Sequence, residues 1–209
     1  MQTIALVDYG IGNLRSVEKA LKTVSAAVPG GAQVTLTSSP AAILAADKVV
    51  LPGVGAFGDG MAGLQARRLV EAIQEVAARG AALLGICLGM QLLFEASEEL
   101  GHHKGLGLLP GKVRRFPAAD LKVPQTGWNQ ILFEPGFPLL EGLEPGCYAY
   151  FNHSFYCEPS DPQVVHGRTE YGLTYASVVG SGRLYGAQFH PEKSQSVGLQ
   201  MLRNFVEKC

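Results

Sequence analysis

Residues 85–91 read Gly-Ile-Cys-Leu-Gly-Met-Gln, and they join the strand-like apolar run 82–84 to the helix-like run 90–94. A glycine stands two positions before and two positions after Cys87, which is the arrangement of the G-x-S-x-G strand-to-helix turn with a thiol in place of the hydroxyl. Such a turn strains its central residue and leaves no room for a Cβ at the flanking positions. The stretch therefore predicts an α/β fold with the Cys87 sulfur at the N-terminus of a helix.

The chemistry expected of Cys87 follows from that position. A helix dipole and its free amides favour the thiolate form of a cysteine. The backbone amide of Leu88 would point at the oxyanion that develops when a thiolate attacks a carbonyl carbon. A lone cysteine in an apolar run is usually a core residue, so the glycine frame and a second motif carry the interpretation as a nucleophile.

That second motif lies near the C-terminus, where 188–194 read Gln-Phe-His-Pro-Glu-Lys-Ser after a strand-like run. Pro191 biases His190 towards extended backbone, in which residues two apart share a face, so His190 and Glu192 can point the same way. A carboxylate beside an imidazole fixes its tautomer and stabilises the imidazolium. Cys87, His190 and Glu192 thus supply a nucleophile, a base and an orienting group for acyl transfer.

Composition limits the classes of protein that fit. The 209 residues are enough for one domain, 1–209, and the 47% of apolar and 17% of charged residues are typical of a compact enzyme. A net charge of −1 gives no sign of nucleic acid or an anionic membrane as partner. We find neither a signal peptide nor an apolar run of bilayer length. The four cysteines match no zinc spacing, so a reducing cytoplasm and no metal are expected.

Strand-like and helix-like segments alternate over the first hundred residues, which predicts a mostly parallel central sheet flanked by helices. Strands are predicted at 4–7, 33–37, 48–51 and 82–86, and helices at 13–24, 64–78, 88–95 and 199–206, with a short helix or turn at 43–46. Further on, the short runs 112–116, 148–151 and 177–179 predict an antiparallel extension. The chemistry should collect at the carboxyl ends of the strands.

The two motifs together resemble those of the class I (triad) glutamine amidotransferases. Four further segments, 7–14, 51–61, 123–129 and 150–155, are similar to the members of that family that serve histidine biosynthesis. Relatives that serve anthranilate, pyridoxal phosphate or GMP synthesis share the triad but lack this opening segment and the Gly-Trp-Asn of 127–129. The resemblance extends from residue 4 to about residue 205 and implies a flavodoxin-like fold.

The resemblance also implies an activity. Cys87, His190 and Glu192 would hydrolyse L-glutamine to glutamate and ammonia without a cofactor. A cyclase with a (β/α)₈ barrel would form a heterodimer with this chain and use the ammonia to make imidazole glycerol phosphate and an aminoimidazole carboxamide ribotide.

Other residues receive roles only through the resemblance. The oxyanion hole would be formed by Leu88 with Gly53 and Val54. The substrate's α-amino and carboxylate groups would be bound by Gln91, Glu99, His153, Ser154 and Phe155. The interface with the partner would include Asn13, Trp128, Tyr150 and Lys193. Many relatives have His-Met where this chain has Gln125-Thr126, which puts signalling through those side chains in question. His102, His103 and His166 are expected to face solvent.

Two alternatives remain open from the sequence. One is a stand-alone γ-glutamyl thiol hydrolase on the same fold, and the other is a regulatory module without activity. The intact set of Cys87, His190 and Glu192 argues against the second.

Overall fold

The computed structural model describes residues 1–117 and 121–209. The helices are α1 (Leu14–Ala27), α2 (Pro40–Ala45), α3 (Phe57–Ala66), α4 (Val70–Ala78), α5 (Leu88–Leu92) and α6 (Gln195–Lys208). The strands are β1 (Gln2–Val7), β2 (Ala32–Thr37), β3 (Lys48–Gly53), β4 (Ala82–Cys87), β5 (Phe94–Ser97), β6 (His103–Lys104), β7 (Leu109–Arg115), β8 (Gln125–Ile131), β9 (Cys147–His153), β10 (Phe155–Pro159), β11 (Val165–Glu170), β12 (Thr174–Ser181) and β13 (Leu184–Ala187). Short 3₁₀ helices cover Pro138–Leu140, Pro162–Val164 and Pro191–Lys193.

A large mixed sheet runs through the molecule in the order β2-β1-β3-β4-β13-β12-β10-β7-β5-β6, and β11 pairs with β12. The pairs from β2 to β13 are all parallel. From β13 through β12 and β10 to β7 the pairs are antiparallel. The parallel centre and the antiparallel extension expected from the sequence are therefore confirmed.

The register of the central strands brings the carboxyl ends of three of them together. Gly53 at the end of β3 lies opposite Cys87 at the end of β4. On the other side of β4, Ala187 at the end of β13 lies opposite Ile86. The segments that follow β3, β4 and β13 consequently meet at one edge of the sheet, where ligands bind in open α/β folds.

The core has two layers because the central strands are buried on both faces. On one face, residues such as Leu6, Val50 and Leu84 pack against α1 and α6. On the other face, residues such as Val49 and Leu83 pack in the cluster that also holds apolar residues of α3 and α4. Burial on both faces explains why these strands read as continuous apolar runs rather than as alternating ones. In the described part of the chain, no helix is long and apolar enough to cross a membrane.

The single helix predicted at 64–78 is wrong, since two helices, α3 and α4, occupy this region. The chain breaks between them at Arg68, which has a φ of 55°. Leu64 and Leu69 are both fully buried. Five residues apart, they would lie about 140° apart around one continuous helix. The break lets both side chains reach the core.

The helix predicted at 88–95 is also wrong, because α5 ends at Leu92 and the chain continues as β5. The carbonyls of Leu92 and Leu93 accept hydrogen bonds from the backbone amides of Leu106 and Leu108 instead of continuing the helix. A Cβ at Gly105 would overlap the carbonyl oxygen of Phe94, so a glycine is required where this segment approaches. A long-range backbone partner has overridden the local helical pattern.

Two further expectations need correction. The run at 148–151 does not join the main sheet. It belongs to β9, which pairs with β8 in a separate two-stranded ribbon, where Trp128 lies opposite Tyr150. His103 and His166 are only partly exposed, because His166 stacks on Phe137 with ring centroids 3.7 Å apart and His103 packs against Gly58.

Gly198 in α6 provides a test of how the fold holds the 3₁₀ turn Pro191–Lys193. A Cβ at this position would overlap the carbonyl oxygen of Pro191, which begins that turn. Gly198→Ala should therefore lower the free energy of unfolding by about 1–3 kcal/mol. This loss is expected even though alanine is more favourable than glycine inside a helix by about 1 kcal/mol. The measurement is urea denaturation of the purified chain.

Ser196→Ala in the same helix is the matched control, because Ser196 is exposed. Its stability should stay within about 0.5 kcal/mol of the native value. Equal stabilities of the Gly198→Ala and Ser196→Ala proteins would contradict the close contact.

Candidate active site

Cys87 lies on a sharp turn between β4 and α5. Its backbone has a φ of 54° and a ψ of −110°, a conformation that is strained for any residue other than glycine. A Cβ at Gly89 would overlap the carbonyl oxygen of Leu51, and one at Gly85 would lie 2.6 Å from the carbonyl oxygen of Gly89. Both glycines of the motif are therefore steric requirements of the turn. Cys87 itself is 5% exposed and precedes the first residue of α5.

His190 and Glu192 form a buried pair on the segment after β13. His190 Nδ1 lies 2.9 Å from Glu192 Oε1, with side chains 3% and 1% exposed. His190 is extended, as expected, but Glu192 lies in the 3₁₀ helix Pro191–Lys193, so the expected extended chain between them is wrong. The turn still returns the carboxylate to the imidazole. Because Nδ1 is occupied by the carboxylate, Nε2 is the ring nitrogen left free to face the Cys87 side.

The protonation of His190 results from two opposing effects. Burial alone would lower its pKa, but the hydrogen bonds and charges of Cys87 and Glu192 outweigh burial and raise the pKa to about 10. The imidazolium form is therefore favoured at neutral pH beside Cys87. An imidazolium next to a sulfur stabilises the thiolate, which is the nucleophilic form of cysteine.

A pocket of about 390 Å³ opens beside the Cys87 thiol. Its lining combines the turn after β3, the Cys87 turn and the junction of β9 and β10: Val54, Gly55, Ala56, Cys87, Leu88, Gln91, Glu99, Pro124, Asn152, His153, Ser154 and Phe155. The predicted substrate residues and two of the three predicted oxyanion residues thus line one cavity with Cys87. Gly53, the third, lies just behind it, where a Cβ would be 2.9 Å from the Leu88 Cβ. A larger cavity of about 760 Å³ near 132–137 shares no lining residue with this pocket.

The end of β3 is held in place, and the residues that follow it are exposed. The Tyr9 hydroxyl donates a hydrogen bond to the carbonyl oxygen of Pro52 at 2.7 Å, and this contact is buried. Val54, two residues on, is 38% exposed at the pocket rim. Gly55 has a φ of +93°, which favours glycine. The Pro52 carbonyl is therefore held inside, whereas the Val54 side chain two residues on lies exposed at the rim.

Gln91 has both amide protons engaged by the protein. Its Nε2 donates to the carbonyl oxygen of Phe155 at 3.0 Å and to Gln188 Oε1 at 3.2 Å. Only the Gln91 Oε1 atom is left for a ligand, and that atom can only accept a hydrogen bond. Glu99 Oε2 accepts from the amide of Phe57 at 2.7 Å, and burial raises the pKa of this carboxyl. Both groups suit a ligand ammonium.

His153 lines the pocket and contacts the carbonyl group of Phe155. Its Nδ1 lies 2.7 Å from the carbonyl oxygen of Phe155, which can only accept, so we assign the proton to Nδ1. Its Nε2 lies 3.3 Å from the Tyr175 hydroxyl, which in turn donates to Gln125 Oε1 at 2.9 Å. Burial lowers the pKa of His153 to about 4, so the ring is neutral at neutral pH. The Phe155 carbonyl is thus held by both His153 and Gln91.

Sequence reasoning missed several residues of this site, above all Gln188. This side chain is fully buried, and its Nε2 lies 3.8 Å from Cys87 Sγ. Its place two residues before His190 in the 188–194 motif is a signal that could have found it. Tyr9, Gln125 and Tyr175 carried no comparable signal.

Three of the residues predicted for a partner interface form one patch beside the site. Trp128 is 47% exposed and meets Tyr150 edge-on, with ring centroids 6.3 Å apart. Lys193 Nζ lies 5.5 Å from the Tyr150 ring, which is 6.4 Å from the His190 ring. Asn13 precedes α1 at the same edge of the sheet. We call Trp128, Tyr150 and Lys193 the aromatic patch.

The chain is similar to several known proteins. The family model of the class-I glutamine amidotransferases matches residues 5–209. The chain is 53% identical over 207 residues to the imidazole glycerol phosphate synthase subunit HisH of Moorella thermoacetica, which covers 99% of this chain and 95% of that protein. It is 49% identical to the subunit of the same name from Bacillus cereus, with 97% and 93% covered. The structure of PurLQS from Thermotoga maritima superposes with a TM-score of 0.73 at 20% identity, over 98% of this chain and 97% of that one, which bears on the fold alone.

Glu192→Gln tests the origin of the His190 charge. The substitution keeps the shape of the side chain and removes the carboxylate that raises the pKa of His190. The pKa should fall from about 10 by at least about one pH unit. Since histidine is charged when protonated, the imidazolium then disappears at a lower pH than in the native protein. NMR titration of the His190 ring measures this change.

Glu99→Gln is the matched control, because Glu99 lies in the same pocket but contacts Phe57 rather than His190. It should leave the His190 titration in place. A Glu192→Gln protein with an unshifted His190 titration would show that the carboxylate does not hold the imidazolium.

Proposed function

This chain belongs to the class I glutamine amidotransferase family, and we propose that it is the glutaminase subunit of an imidazole glycerol phosphate synthase in histidine biosynthesis. It hydrolyses L-glutamine to glutamate and ammonia. The observation that carries the proposal is the buried set of Cys87, His190 and Glu192 beside a pocket that offers acceptors for an α-ammonium group. A single domain spans 1–209.

The reaction begins when the Cys87 thiolate attacks the carbon of the substrate's side-chain amide. A carbon–sulfur bond forms, and the amide oxygen becomes an oxyanion. The backbone amides of Leu88 and Val54, with Gly53 behind them, stabilise this charge, since both residues line the pocket next to the sulfur.

His190 then moves the protons. The imidazolium donates its Nε2 proton to the leaving nitrogen, so that ammonia departs and a γ-glutamyl thioester remains on Cys87. The neutral imidazole next accepts a proton from water while the water oxygen attacks the thioester. Glutamate and the thiolate are released, and His190 is again an imidazolium. Glu192 keeps the Nδ1–H direction fixed throughout.

Recognition of glutamine follows from the donors and acceptors in the pocket. The Oε1 of Gln91 and the carboxylate of Glu99 accept hydrogen bonds from the α-ammonium group. The backbone of His153, Ser154 and Phe155 completes the site, and the double hold on the Phe155 carbonyl keeps that edge rigid. Specificity for a free amino acid would arise from this pairing of charges.

Ammonia released into bulk water would be lost, partly as ammonium, so the enzyme needs an acceptor docked over the site. We propose a cyclase with a (β/α)₈ barrel that forms a heterodimer with this chain in the cytoplasm. The aromatic patch and Asn13 face this partner. The cyclase uses the ammonia to make imidazole glycerol phosphate and an aminoimidazole carboxamide ribotide.

Docking should also switch on the glutaminase. Val54 is exposed and lies between two glycines, so its amide can turn away from the oxyanion until the partner fixes it. The isolated chain should therefore turn over glutamine at least about 10-fold more slowly than the ligand-bound complex, which corresponds to about 1.4 kcal/mol in activation free energy. Steady-state turnover with and without the cyclase measures this. Equal turnover numbers would favour a stand-alone γ-glutamyl hydrolase.

The source of the nitrogen can be tested with Cys87→Ala in the assembled complex. Without the thiol, glutamine-dependent synthesis of imidazole glycerol phosphate should fall by at least about 10⁴-fold. Ammonium at alkaline pH should still support synthesis, because that step belongs to the cyclase. Synthesis from glutamine by this variant would mean that Cys87 is not the nucleophile.

Trp128→Ala tests the aromatic patch. Loss of an aromatic anchor should weaken docking by about 2 kcal/mol, roughly 30-fold in Kd, and should uncouple glutamine hydrolysis from synthesis. Ammonium-dependent synthesis should be spared. Leu132→Ala is the control. Leu132 is similarly exposed, at 48%, but it lies just beyond the C-terminal end of β8, outside the aromatic patch. Equal Kd values for the two variants, measured by calorimetry, would place the interface elsewhere.

A further inference from the structure

The buried amide of Gln188 has no part in the mechanism above, yet it lies between the group that would bind substrate and the nucleophile. Its Oε1 accepts a hydrogen bond from Gln91 Nε2 at 3.2 Å, and its Nε2 donates to Cys87 Sγ at 3.8 Å. The side chain is 0% exposed. A buried polar group in such a place is usually fully hydrogen-bonded and held in one orientation.

The direction of the Gln188 amide follows from its neighbours. The Phe155 carbonyl can only accept, so the atom of Gln91 that faces it must be the nitrogen. That same nitrogen faces Gln188, so the Gln188 atom it meets must be the oxygen. The Gln188 nitrogen is then the atom directed at the sulfur. The orientation is therefore determined by the network.

The backbone around Gln188 is equally fixed. The backbone amide of Gln188 donates a hydrogen bond to the carbonyl oxygen of Ser177 on β12 at 2.9 Å. The next residue, Phe189, is fully buried, and His190 follows. Gln188 and His190 thus approach the thiol from one rigid segment, the first with a neutral donor and the second with a charged one.

We propose that Gln188 is a positioning residue that links substrate binding at Gln91 to the state of the Cys87 thiol. Its N–H group stabilises and aims the thiolate, and its carbonyl oxygen holds Gln91 so that only the Gln91 oxygen faces the substrate. The inference rests on the proposed glutaminase function. A ligand ammonium on Gln91 Oε1 would polarise the amides in series and strengthen the contact at the sulfur.

Two variants separate the two ends of this link. Gln188→Met removes both hydrogen bonds at similar volume. Gln188→Glu keeps an oxygen that accepts from Gln91 but replaces the donor at the sulfur by a second carboxyl oxygen. Both are compared with the native chain in the complex with the cyclase. The pH at which half of Cys87 reacts with iodoacetamide is read from the Cys87 peptide by mass spectrometry, beside kcat and KM for glutamine.

The two variants should differ in a defined way. In Gln188→Met, the pH midpoint of alkylation should rise by about one unit and KM should rise about 10-fold, since an N–H bond to an ionised group and the hold on Gln91 are both lost. In Gln188→Glu, the midpoint should rise by at least as much and kcat should fall about 10-fold, while KM stays within about 3-fold of native. A purely structural role would lower the melting temperature without moving the midpoint.

Gln125→Met is the matched control. Gln125 is another buried glutamine near this site, at 3% exposure, and it contacts Tyr175 rather than the thiol. Its substitution should leave the alkylation midpoint where it is in the native chain. A midpoint that moves equally in Gln125→Met and Gln188→Met would overturn the proposal, because loss of any buried amide would then suffice.

The outcomes also separate this inference from the proposed function. If the native complex turns over glutamine and neither Gln188 variant moves the midpoint or KM, the inference alone is overturned. If the native complex fails to hydrolyse glutamine, the proposed function fails, and the alkylation midpoints still decide the contact at the sulfur. If Gln188→Met does not fold, Gln188→Glu decides by itself, because it keeps the oxygen that accepts the hydrogen bond from Gln91.

Discussion

The close contact between the start of α5 and the end of β3 is the constraint on which the rest of the site depends. A Cβ at Gly89 would overlap the carbonyl oxygen of Leu51, so the helix can follow the strand directly only with a glycine there. The chain then has no freedom left at Cys87, which is forced to a positive φ. The β3–β4 register sets Gly53 beside it. The close strand–helix contact and this register therefore bring the thiol and the segment after β3 into one pocket.

The pKa values of the two buried histidines, His190 and His153, shift in opposite directions. His190 faces a thiol and a carboxylate, and these charges raise its pKa to about 10 despite burial. His153 faces a carbonyl and the hydroxyl of Tyr175, neutral groups that do not compensate for the lost hydration of an imidazolium, and its pKa falls to about 4. One ring is thereby suited to carry a proton to a substrate, and the other to stay neutral as a brace. The difference arises mainly because a thiol and a carboxylate lie beside His190, whereas His153 is buried among neutral groups.

Local patterns were reliable for buried strands and poor at helix ends. The strands β1, β3 and β4 were predicted to within two residues because an apolar run bounded by turns leaves few alternatives. The helix predicted at 64–78 was wrong because Arg68 breaks it, so that Leu64 and Leu69 can both be buried. The helix predicted at 88–95 ended early because backbone amides from 105–109 took its carbonyls. In the first case burial in the core, and in the second backbone partners distant in sequence, outweighed the helical period, which carries no information about either.

The sequence by itself determined the fold class, the family and the positions of the chemical motifs, because glycine spacing and apolar runs are local properties of the chain. Only the tertiary structure decided which side chains surround the thiol. Gln188 and Gln91 meet across 97 residues, and no local pattern encodes that contact. The same holds for the hydrogen bond from the Tyr175 hydroxyl to Gln125 Oε1, which joins two sheets. Hydrogen bonds between distant segments depend on strand order and register, and these are settled only when the whole core packs.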